Sequence, residues 1–164
     1  MADIPLPQAF PQAMRRLIGH CTVITAGAGD DRSGLVVTSG ISLSADPPQV
    51  LFCVNRGSST WPLLARHGCF GWSALAAEHE EVAKRFAGFG GVKGPDRYAE
   101  ADWITDVTGA LLLSDAAMTL DCEVAEMIDR DTHSIVIGRV RAVRLRDDAG
   151  ALAYWNGQFR SIPA

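Results

Sequence analysis

The sequence predicts a single, mostly β domain with a barrel-like arrangement of strands and a few short helices. Its 164 residues, 48% of them hydrophobic, are enough to bury one core without disulfide bonds. Short β-branched or alternating segments recur between glycine, proline and asparagine turns, which is typical of antiparallel barrels. In the last long segment the outward-facing positions change parity, which indicates a bend of the kind that closes a barrel. We therefore interpret residues 1–164 as one domain.

The first element is predicted to be a helix that begins near Phe10 and ends at Gly19. Pro11 suits the first turn of this helix, where its missing N–H would have no partner in any case. The spacing of the apolar residues places one hydrophobic stripe along the helix. The stripe consists of Phe10, Ala13, Met14, Leu17 and Ile18.

Strands follow this helix. We predict strands over 21–26, over 50–54 and over 69–75, and a further strand that starts at Leu35, because these segments are short and rich in β-branched or apolar residues. The prolines of the Asp46-Pro47-Pro48 segment separate two of the strands, since proline cannot donate a hydrogen bond to a ladder. The middle of the chain is therefore predicted to be mainly extended.

Two short helices and a loop interrupt the strands. Ser58 or Ser59 is predicted to cap a helix that Gly68 ends. A second helix is predicted over 78–87, and three of its apolar residues share a face, namely Val82, Ala83 and Phe86. The segment 88–98 contains four glycines and a proline, so we interpret it as a mobile surface loop.

The C-terminal third is predicted to be a meander of strands. Residues 118–125 alternate between apolar and polar side chains, residues 129–131 form a turn, and 134–146 returns as a strand. The outward-facing arginines of that strand change from odd to even positions, at Arg139, Arg141, Arg144 and Arg146. A β-bulge is therefore expected near Ala142-Val143, and Asn156-Gly157 predicts a two-residue hairpin turn.

Charge and hydropathy exclude several classes of protein. Fifteen Lys and Arg against nineteen Asp and Glu give a net charge of −4, so no nucleic-acid partner is expected. The apolar run 110–113 is far shorter than the ~20 residues of a membrane span. The N-terminus lacks a basic start followed by an apolar segment, so no secretion signal is predicted. We expect a cytoplasmic protein with no membrane partner.

The cysteines and histidines agree with a cytoplasmic location. The cysteines at 21, 53, 69 and 122 form no Cys-x-x-Cys pair, which excludes a zinc knuckle or a thioredoxin-like redox motif. No disulfide is expected in a reducing compartment. The histidines at 20, 67, 79 and 133 form no His-Glu-x-x-His motif and no i, i+4 pair. We therefore predict no metal site.

Small hydroxyl side chains gather between two of the predicted strands. They are Thr38, Ser39, Ser42 and Ser44. The segment 55–60 adds one arginine and further hydroxyls at a predicted helix start. Hydroxyls, backbone N–H groups and a guanidinium are the groups that bind phosphate, although the same residue types also serve turns and caps. No Gly-x-Gly-x-x-Gly, P-loop or Gly-x-Ser-x-Gly motif is present, so dinucleotide folds and hydrolases of those types have no support.

The order of segments resembles the flavin reductase family, the small reductases that serve two-component monooxygenases. The resemblance extends from about Phe10 to Ile162. Its most specific pieces are Ser-x-Ser-x-Asp-Pro-Pro at 42–48 and Asp-x-His-x-Ile-x-Ile-Gly at 131–138. The other matching segments are Phe-x-x-Ala-Met-Arg-Arg-Leu at 10–17, Cys-Thr-Val-Ile-Thr-Ala at 21–26, Val-Asn-Arg-Gly-Ser-Ser at 54–59, Arg-Phe-Ala at 85–87 and Leu-Ala-Tyr-Trp-Asn-Gly at 152–157.

The resemblance implies a split β-barrel of the FMN-binding type, with a Greek-key-like closed barrel. It implies a homodimer that binds flavin near the subunit interface, reduces FMN or FAD with NADH or NADPH, and passes the reduced flavin to a monooxygenase component. It also implies roles for individual residues. Thr38 and Ser39 would contact the flavin ring or ribityl chain, with N–H groups up to Gly40 near the ring and Ser44 in the same hydroxyl cluster. The phosphate would be held by Arg56, Ser58 and Ser59; Cys53 and Phe86 would line the pocket.

His133 would lie where the nicotinamide stacks on the flavin, and would position it. Without the resemblance, a histidine at this point is a turn residue bonded to a neighbouring carboxylate, and this alternative remains open. A related barrel that binds haem or a corrin would instead use His133 or His79 as an axial ligand.

Several positions depart from the family pattern. Val36, Thr38 and Gly40 stand where the family usually has Thr, Ser and Phe, and Gly40 would remove an aromatic wall and open the pocket. Ser73 replaces an Asn and His79 replaces a Gln. A more open pocket would suit a larger acceptor, so a corrin reductase of cobalamin synthesis is an alternative. A non-catalytic FMN-binding protein and an oxidase of pyridoxine-type phosphates are two others.

Overall fold

Antiparallel strand pairing organises most of the chain. The computed structural model describes residues 4–164, and the first three residues of the predicted domain lie outside this range. The described residues form three α-helices, which are α1 Leu6–Met14, α2 Trp61–His67 and α3 Glu80–Phe86. The strands are β1 Gly19–His20, β2 Thr22–Ala28, β3 Asp31–Val37, β4 Ile41–Ala45, β5 Pro48–Asn55, β6 Cys69–Ala74, β7 Trp103–Thr105, β8 Leu111–Leu113, β9 Met118–Arg130, β10 His133–Leu145, β11 Ala151–Trp155 and β12 Gln158–Ile162.

The main sheet has seven antiparallel strands in the order β3-β2-β6-β9-β10-β5-β4. Smaller sheets join β1, β11 and β12, and β7 with β8. The prediction of a mostly β chain with a few short helices is confirmed. Within residues 4–164 the two outer strands, β3 and β4, are not paired with each other by a hydrogen-bonded ladder. Only residues 38–40 connect them, so both ends of the sheet lie beside this short connection.

Two hydrophobic clusters stabilise the fold. One lies between the inner face of the main sheet and α2, and it includes Phe52, Leu64, Phe70 and Trp72. The other packs α3 and β8 against β2 and β11, and it includes Val23, Phe86, Tyr98, Leu113 and Leu152. Alternate residues of β5 are buried in the first cluster, and the residues between them face outward. β5 therefore has one face in the core and one face free for other contacts, whereas consecutive residues of β2 and β6 are buried on both faces.

The hairpin of β9 and β10 contains the bulge that the change of parity predicts. The ladder skips Arg141, between the pairs Val140–Cys122 and Ala142–Asp121, which is within one residue of the predicted position. The predicted Asn156-Gly157 turn is also confirmed, since it joins β11 to β12 with a positive φ at both residues. These features follow from local sequence alone.

The first helix differs from its prediction. It begins at Leu6, so Pro7 occupies the first turn and Pro11 lies inside the helix. Because proline has no N–H, the Pro7 carbonyl receives no hydrogen bond from residue 11. The apolar stripe is not buried against the rest of the chain: Phe10 is 59% exposed and Ile18 is 66% exposed.

The central segments also differ in part. The N-cap of α2 is Thr60, neither Ser58 nor Ser59, although Ser58 Oγ accepts a hydrogen bond from the N–H of Trp61 at 3.2 Å. The loop 88–98 contains two short 3-10 turns and ends on Tyr98, whose buried hydroxyl donates to the Ser33 carbonyl. The strands β7 and β8 were not predicted. None of the helices in residues 4–164 is long and apolar enough to cross a membrane.

Candidate functional site

Residues distant in sequence meet where β5 and β10 run side by side. Asn55 lies opposite His133, and Cys53 lies opposite Ile135. Ser39, in the connection between β3 and β4, accepts a hydrogen bond from the N–H of Cys53 at 3.0 Å. Because directly opposed residues of an antiparallel pair point to the same face, Cys53 and His133 lie on one side of the sheet, beside Ser39.

Arg56 follows β5 immediately and is held against the turn that precedes β10. Its N–H donates to the Thr132 carbonyl at 2.9 Å, and its Nη1 donates to the Asp131 carbonyl at 3.3 Å. Its Nη2 lies 3.4 Å from Asp129 Oδ2, and its guanidinium carbon lies 5.5 Å from the centre of the Trp61 ring. The side chain remains 43% exposed, so it can still contact a ligand.

The loop after Arg56 uses most of its own backbone donors. Gly57 N–H donates to Asn55 Oδ1 at 2.8 Å, and Ser58 N–H donates to the Asn55 carbonyl at 3.0 Å. Ser58 Oγ accepts from Trp61 N–H, so the Ser58 hydroxyl proton is still available for a ligand. The expected row of free N–H groups is therefore occupied at these positions. An anion here would be held mainly by side chains.

Two residues predicted for the same cluster lie elsewhere. The Ser59 hydroxyl is 2.8 Å from Ser33 Oγ, on the side of β3 and away from Arg56. Ser44 lies opposite Gln49 on β5, four residues before Cys53, which is about 13 Å along an extended strand. The structure thus brings together Thr38, Ser39, Cys53, Arg56, Ser58 and His133, but neither Ser44 nor Ser59.

Phe86 was predicted to line the pocket, and this prediction is wrong. Its side chain is 1% exposed and lies in the second core cluster. The ring packs edge-on against Tyr98, with 5.2 Å between the centroids, and lies 5.4 Å from the centroid of Trp103. The stripe of α3 that contains Phe86 faces the core, as an amphipathic helix on a sheet requires.

The expectation of an open pocket at Gly40 is also wrong. A Cβ built on Gly40 would lie 2.4 Å from Cη2 of Trp72, so an indole ring already fills the space beside this glycine. Trp72 is 4% exposed and belongs to the first core cluster. An aromatic ring from β6 therefore lies at this position, although Gly40 itself has no side chain. The space that would have suited a corrin-sized acceptor is therefore filled by the Trp72 ring.

Two cavities border Thr38, and neither was predicted from the sequence. One has about 200 Å³ and is lined by Cys21, Val36, Val37, Thr38, Ala87, Phe89, Tyr154 and Phe159. The other has about 320 Å³ and is lined by Met14, Leu17, Ile18, Gly19, Thr38 and Ser39. Burial raises the pKa of the Cys21 thiol to about 12, so this residue contributes a neutral surface. The apolar stripe predicted for the first helix was the only sequence signal, because three of its five residues, Met14, Leu17 and Ile18, line the second cavity.

His133 is exposed at the start of β10. Its Nδ1 lies 2.9 Å from Thr132 Oγ1, and no protein partner of Nε2 is found within residues 4–164. The carboxylate of Asp129 bonds instead to Ser134 and to Arg56. The alternative of a turn histidine bonded to a carboxylate is therefore not what the structure contains.

The other departures from the family pattern have structural roles. Ser73 is buried, and its Oγ accepts from the N–H of Leu113 at 3.0 Å. His79 is buried too, with Nδ1 accepting from Ala76 N–H at 3.1 Å and Nε2 lying 3.2 Å from an Asp115 oxygen. Because the ring is 6% exposed and its Nδ1 already accepts a hydrogen bond, His79 is a poor axial ligand for a haem or a corrin. In the described part of the chain no cluster of three or more His, Cys, Asp or Glu side chains could hold a metal ion.

Sequence comparisons place this arrangement among known proteins. The family described as Flavin reductase like domain matches residues 14–163. FMN reductase (NADH) RutF 2 of Methylorubrum extorquens is 34% identical over 155 residues, which are 94% of this chain and 89% of that protein. The 4-hydroxyphenylacetate 3-monooxygenase reductase component of Pseudomonas aeruginosa is 30% identical over 158 residues, with 96% and 93% covered.

Solved structures agree with the sequence comparisons. The flavin reductase component of a bacterial two-component tryptophan halogenase superposes with a TM-score of 0.87 at 31% identity, over 96% of this chain and 99% of that one. An NADH:FAD oxidoreductase of Streptomyces globisporus superposes with a TM-score of 0.88 at 25% identity, over 100% and 98%. With its fold and nearly its whole length matched, this chain belongs to the flavin reductase like family.

Proposed function

We propose that this protein is an NAD(P)H-dependent flavin reductase that transfers a hydride from NADH or NADPH to FMN, with FAD as a second acceptor. One observation carries the proposal: Arg56 and Ser58 lie beside His133 at one end of β5 and β10, in a chain of the flavin reductase like family. Relatives named as NADH-dependent FMN reductases support the choice of donor and acceptor.

The side chains present fit a flavin phosphate. Arg56 offers a half-exposed guanidinium, and Ser58 offers a hydroxyl proton, which are the donors that phosphate oxygens accept from. Thr38 and Ser39 lie exposed at the connection between β3 and β4, within reach of the same end of the sheet. A side chain at position 57 would crowd Asn55, because a Cβ there would lie 3.2 Å from Asn55 Oδ1, so glycine keeps the loop compact.

Each residue of the site has a part in the reaction. A bound flavin supplies the acceptor for a hydride from the nicotinamide, so no side chain is needed as a general base. Thr38 and Ser39 would hold the flavin ring or its ribityl chain, and N–H groups of residues 38–40 would stabilise the negative charge of a reduced ring. Arg56 and Ser58 hold the phosphate. His133 orients the nicotinamide through Nε2, because Thr132 engages Nδ1.

We further propose that the main sheet forms the split barrel of this family, with residues 38–40 as the seam, and that two copies pair through its outer face. Apolar residues face outward on three adjacent strands, namely Ile41, Leu51, Ile135 and Ile137. Ile41 is 58% exposed, and because it lies directly beside Leu51 and Ile137 the three side chains form a contiguous apolar patch of the kind that interfaces use. This face borders Cys53 and His133, so pairing would cover the proposed flavin site.

Sedimentation velocity tests the pairing. We expect the wild-type protein to sediment as a dimer and Ile137→Arg to sediment as a monomer, because a charge on this face would be buried in the dimer. Val107→Arg is the matched control, since Val107 is another exposed apolar residue outside this face. A monomeric wild-type protein at micromolar concentration would contradict the pairing.

The reduced flavin is proposed to pass to a separate oxygenase. A relative is named as a monooxygenase reductase component, and a structural neighbour is the reductase component of a halogenase. Supplying the reduced protein to a flavin-dependent monooxygenase that lacks its own reductase should restore product formation. A flavin that stays bound and supports no turnover of the oxygenase would argue against this step.

Anaerobic titration tests the reduction itself. NADH and NADPH are each added to the protein with FMN or FAD, and the loss of the visible flavin absorption is followed. We expect bleaching, fastest with NADH and FMN. Binding of flavin with no bleaching by either nucleotide would instead identify a non-catalytic flavin-binding protein.

His133 is tested in the same assay. His133→Ala should slow hydride transfer roughly ten- to a hundredfold, because the nicotinamide is no longer held within reacting distance. His67→Ala is the control, since His67 is a half-buried histidine that contacts Asp31 far from this site. Equal rates in His133→Ala and wild type would refute the assignment of His133.

A further inference from the structure

Arg56 belongs to a closed ring of four side chains. Trp61 Nε1 donates to Ser134 Oγ at 2.8 Å, and the Ser134 hydroxyl donates to Asp129 Oδ1 at 2.5 Å. The other oxygen of Asp129 lies 3.4 Å from Arg56 Nη2, and the Arg56 guanidinium lies over the Trp61 ring. Ser134 is fully buried, so the ring is anchored in the core at this point.

The ring determines which charge a ligand meets. Ser134 and Trp61 fix Asp129 on one side, so its carboxylate is held beside Arg56 and does not move freely in solvent. Both charged side chains are about half exposed, at 43% for Arg56 and 47% for Asp129. An approaching anion therefore meets a guanidinium whose charge is already partly balanced by a fixed carboxylate.

From this geometry we propose that Asp129 is a specificity-determining residue of the flavin phosphate site. Its carboxylate reduces the preference of the site for FMN, a doubly charged phosphate monoester, over FAD, whose charge is less concentrated, and over riboflavin, which has none. The proposal rests on the proposed function, because it requires Arg56 to contact the phosphate. Asp129 would contact neither flavin nor nicotinamide; it acts by its charge, which lies beside Arg56 and repels the phosphate that Arg56 binds.

The three natural flavins differ in the charge that they bring to Arg56. The terminal phosphate of FMN carries nearly two negative charges at neutral pH, because its second pKa is about 6. Each phosphate of FAD carries one charge, and riboflavin carries none. The repulsion between Asp129 and the ligand therefore decreases from FMN to FAD to riboflavin.

Replacing Asp129 by asparagine removes this repulsion and keeps the shape. The amide oxygen of Asn still accepts from Ser134, whereas its NH2 group replaces the oxygen beside Arg56 and cannot accept from the guanidinium, so the charge and the contact with Arg56 are removed together. For charges about 6 Å apart near a screened surface, we expect FMN to bind roughly three- to tenfold more tightly, FAD about twofold more tightly and riboflavin unchanged. The gain for FMN should shrink at high salt.

Equilibrium binding measures these ratios. Dissociation constants for FMN, FAD and riboflavin are determined by calorimetry for wild type, Asp129→Asn, Asp129→Glu and Arg56→Ala, at low and high salt. Asp147→Asn makes the same change of net charge at an exposed site outside the ring and serves as the control. Circular dichroism and thermal unfolding check that each variant is folded.

The expected result is a selective gain for FMN in Asp129→Asn and a ratio close to wild type in Asp129→Glu and Asp147→Asn. Weaker FMN binding in Asp129→Asn, or an equal gain for all three flavins, would overturn the role of Asp129. The phosphate assignment is tested separately by Arg56→Ala, which should lose the preference for FMN over riboflavin. If Arg56→Ala keeps that preference, the assignment of Arg56 fails, whatever Asp129 does.

Discussion

Substituting Gly40 tests whether the Trp72 ring fills the space beside the site. In Gly40→Ala the new Cβ would lie 2.4 Å from the ring carbon Cη2, about 1 Å closer than an ordinary van der Waals contact of 3.4–4 Å. The ring cannot easily retreat, because Trp72 is 4% exposed and its centroid lies 6.2 Å from that of Phe52, edge-on. Overpacking of this kind costs about 1–3 kcal/mol in the free energy of unfolding. Since Gly40 does not have a positive φ, backbone strain adds nothing to this cost.

The assay is a double-mutant cycle. Urea unfolding at one fixed protein concentration gives the free energy of unfolding for wild type, Gly40→Ala, Trp72→Leu and the double variant. Because Trp72→Leu removes the ring, Gly40→Ala should cost less than about 0.5 kcal/mol in that background. The reasoning is refuted if Gly40→Ala costs as much with Leu at position 72 as it does with Trp.

Three further outcomes are expected. Phe86→Ala should lower the free energy of unfolding by about 3–5 kcal/mol, with the dissociation constant for FMN unchanged in the fraction that remains folded, because this ring is core and not pocket. Asp121→Ala should cost about 1–3 kcal/mol, since it leaves the N–H of Thr108 without its acceptor at 2.6 Å, and hydrogen exchange should rise around residue 108. The free energy of unfolding should fall between pH 9 and 12 in urea titrations. The reason is that burial raises the pKa of Cys21 from 9.0 to about 12 and that of Tyr98 above its usual value, so the unfolded chain releases these protons first. A free energy of unfolding that rises between pH 9 and 12 would contradict this pH dependence.

Local sequence predicted the elements whose causes are local. The Asn156-Gly157 turn adopts positive φ at both residues, which few other pairs tolerate, so its sequence alone was sufficient. The bulge in β10 followed from the parity of its arginines. The first helix was misplaced because two prolines, Pro7 and Pro11, each suit a first turn, and only the structure shows which one occupies it.

The candidate site was less accessible to such reasoning. Arg56 and His133 lie far apart in sequence and meet only because β5 pairs with β10, which no periodicity reveals. The residue types of the loop 55–60 already indicated Arg56, and the family resemblance added a role for His133, whereas the resemblance misled at Phe86 and Gly40. At those two positions the outcome depends on a tertiary partner, Tyr98 in one case and Trp72 in the other, and such partners are decided by the packing of the whole core.

The three residues between β3 and β4 also limit how this part of the chain can vary. Because strand side chains alternate, inserting or deleting one residue between Val37 and Ile41 would exchange the inner and outer faces of β4, or force its pairing with β5 to slip. The same change would move Ser39 away from the amide of Cys53. The number of residues between β3 and β4 is therefore fixed by the pairing of β4 with β5, whereas the side chains at these positions can vary. Engineering of acceptor preference should exchange side chains here and keep the spacing.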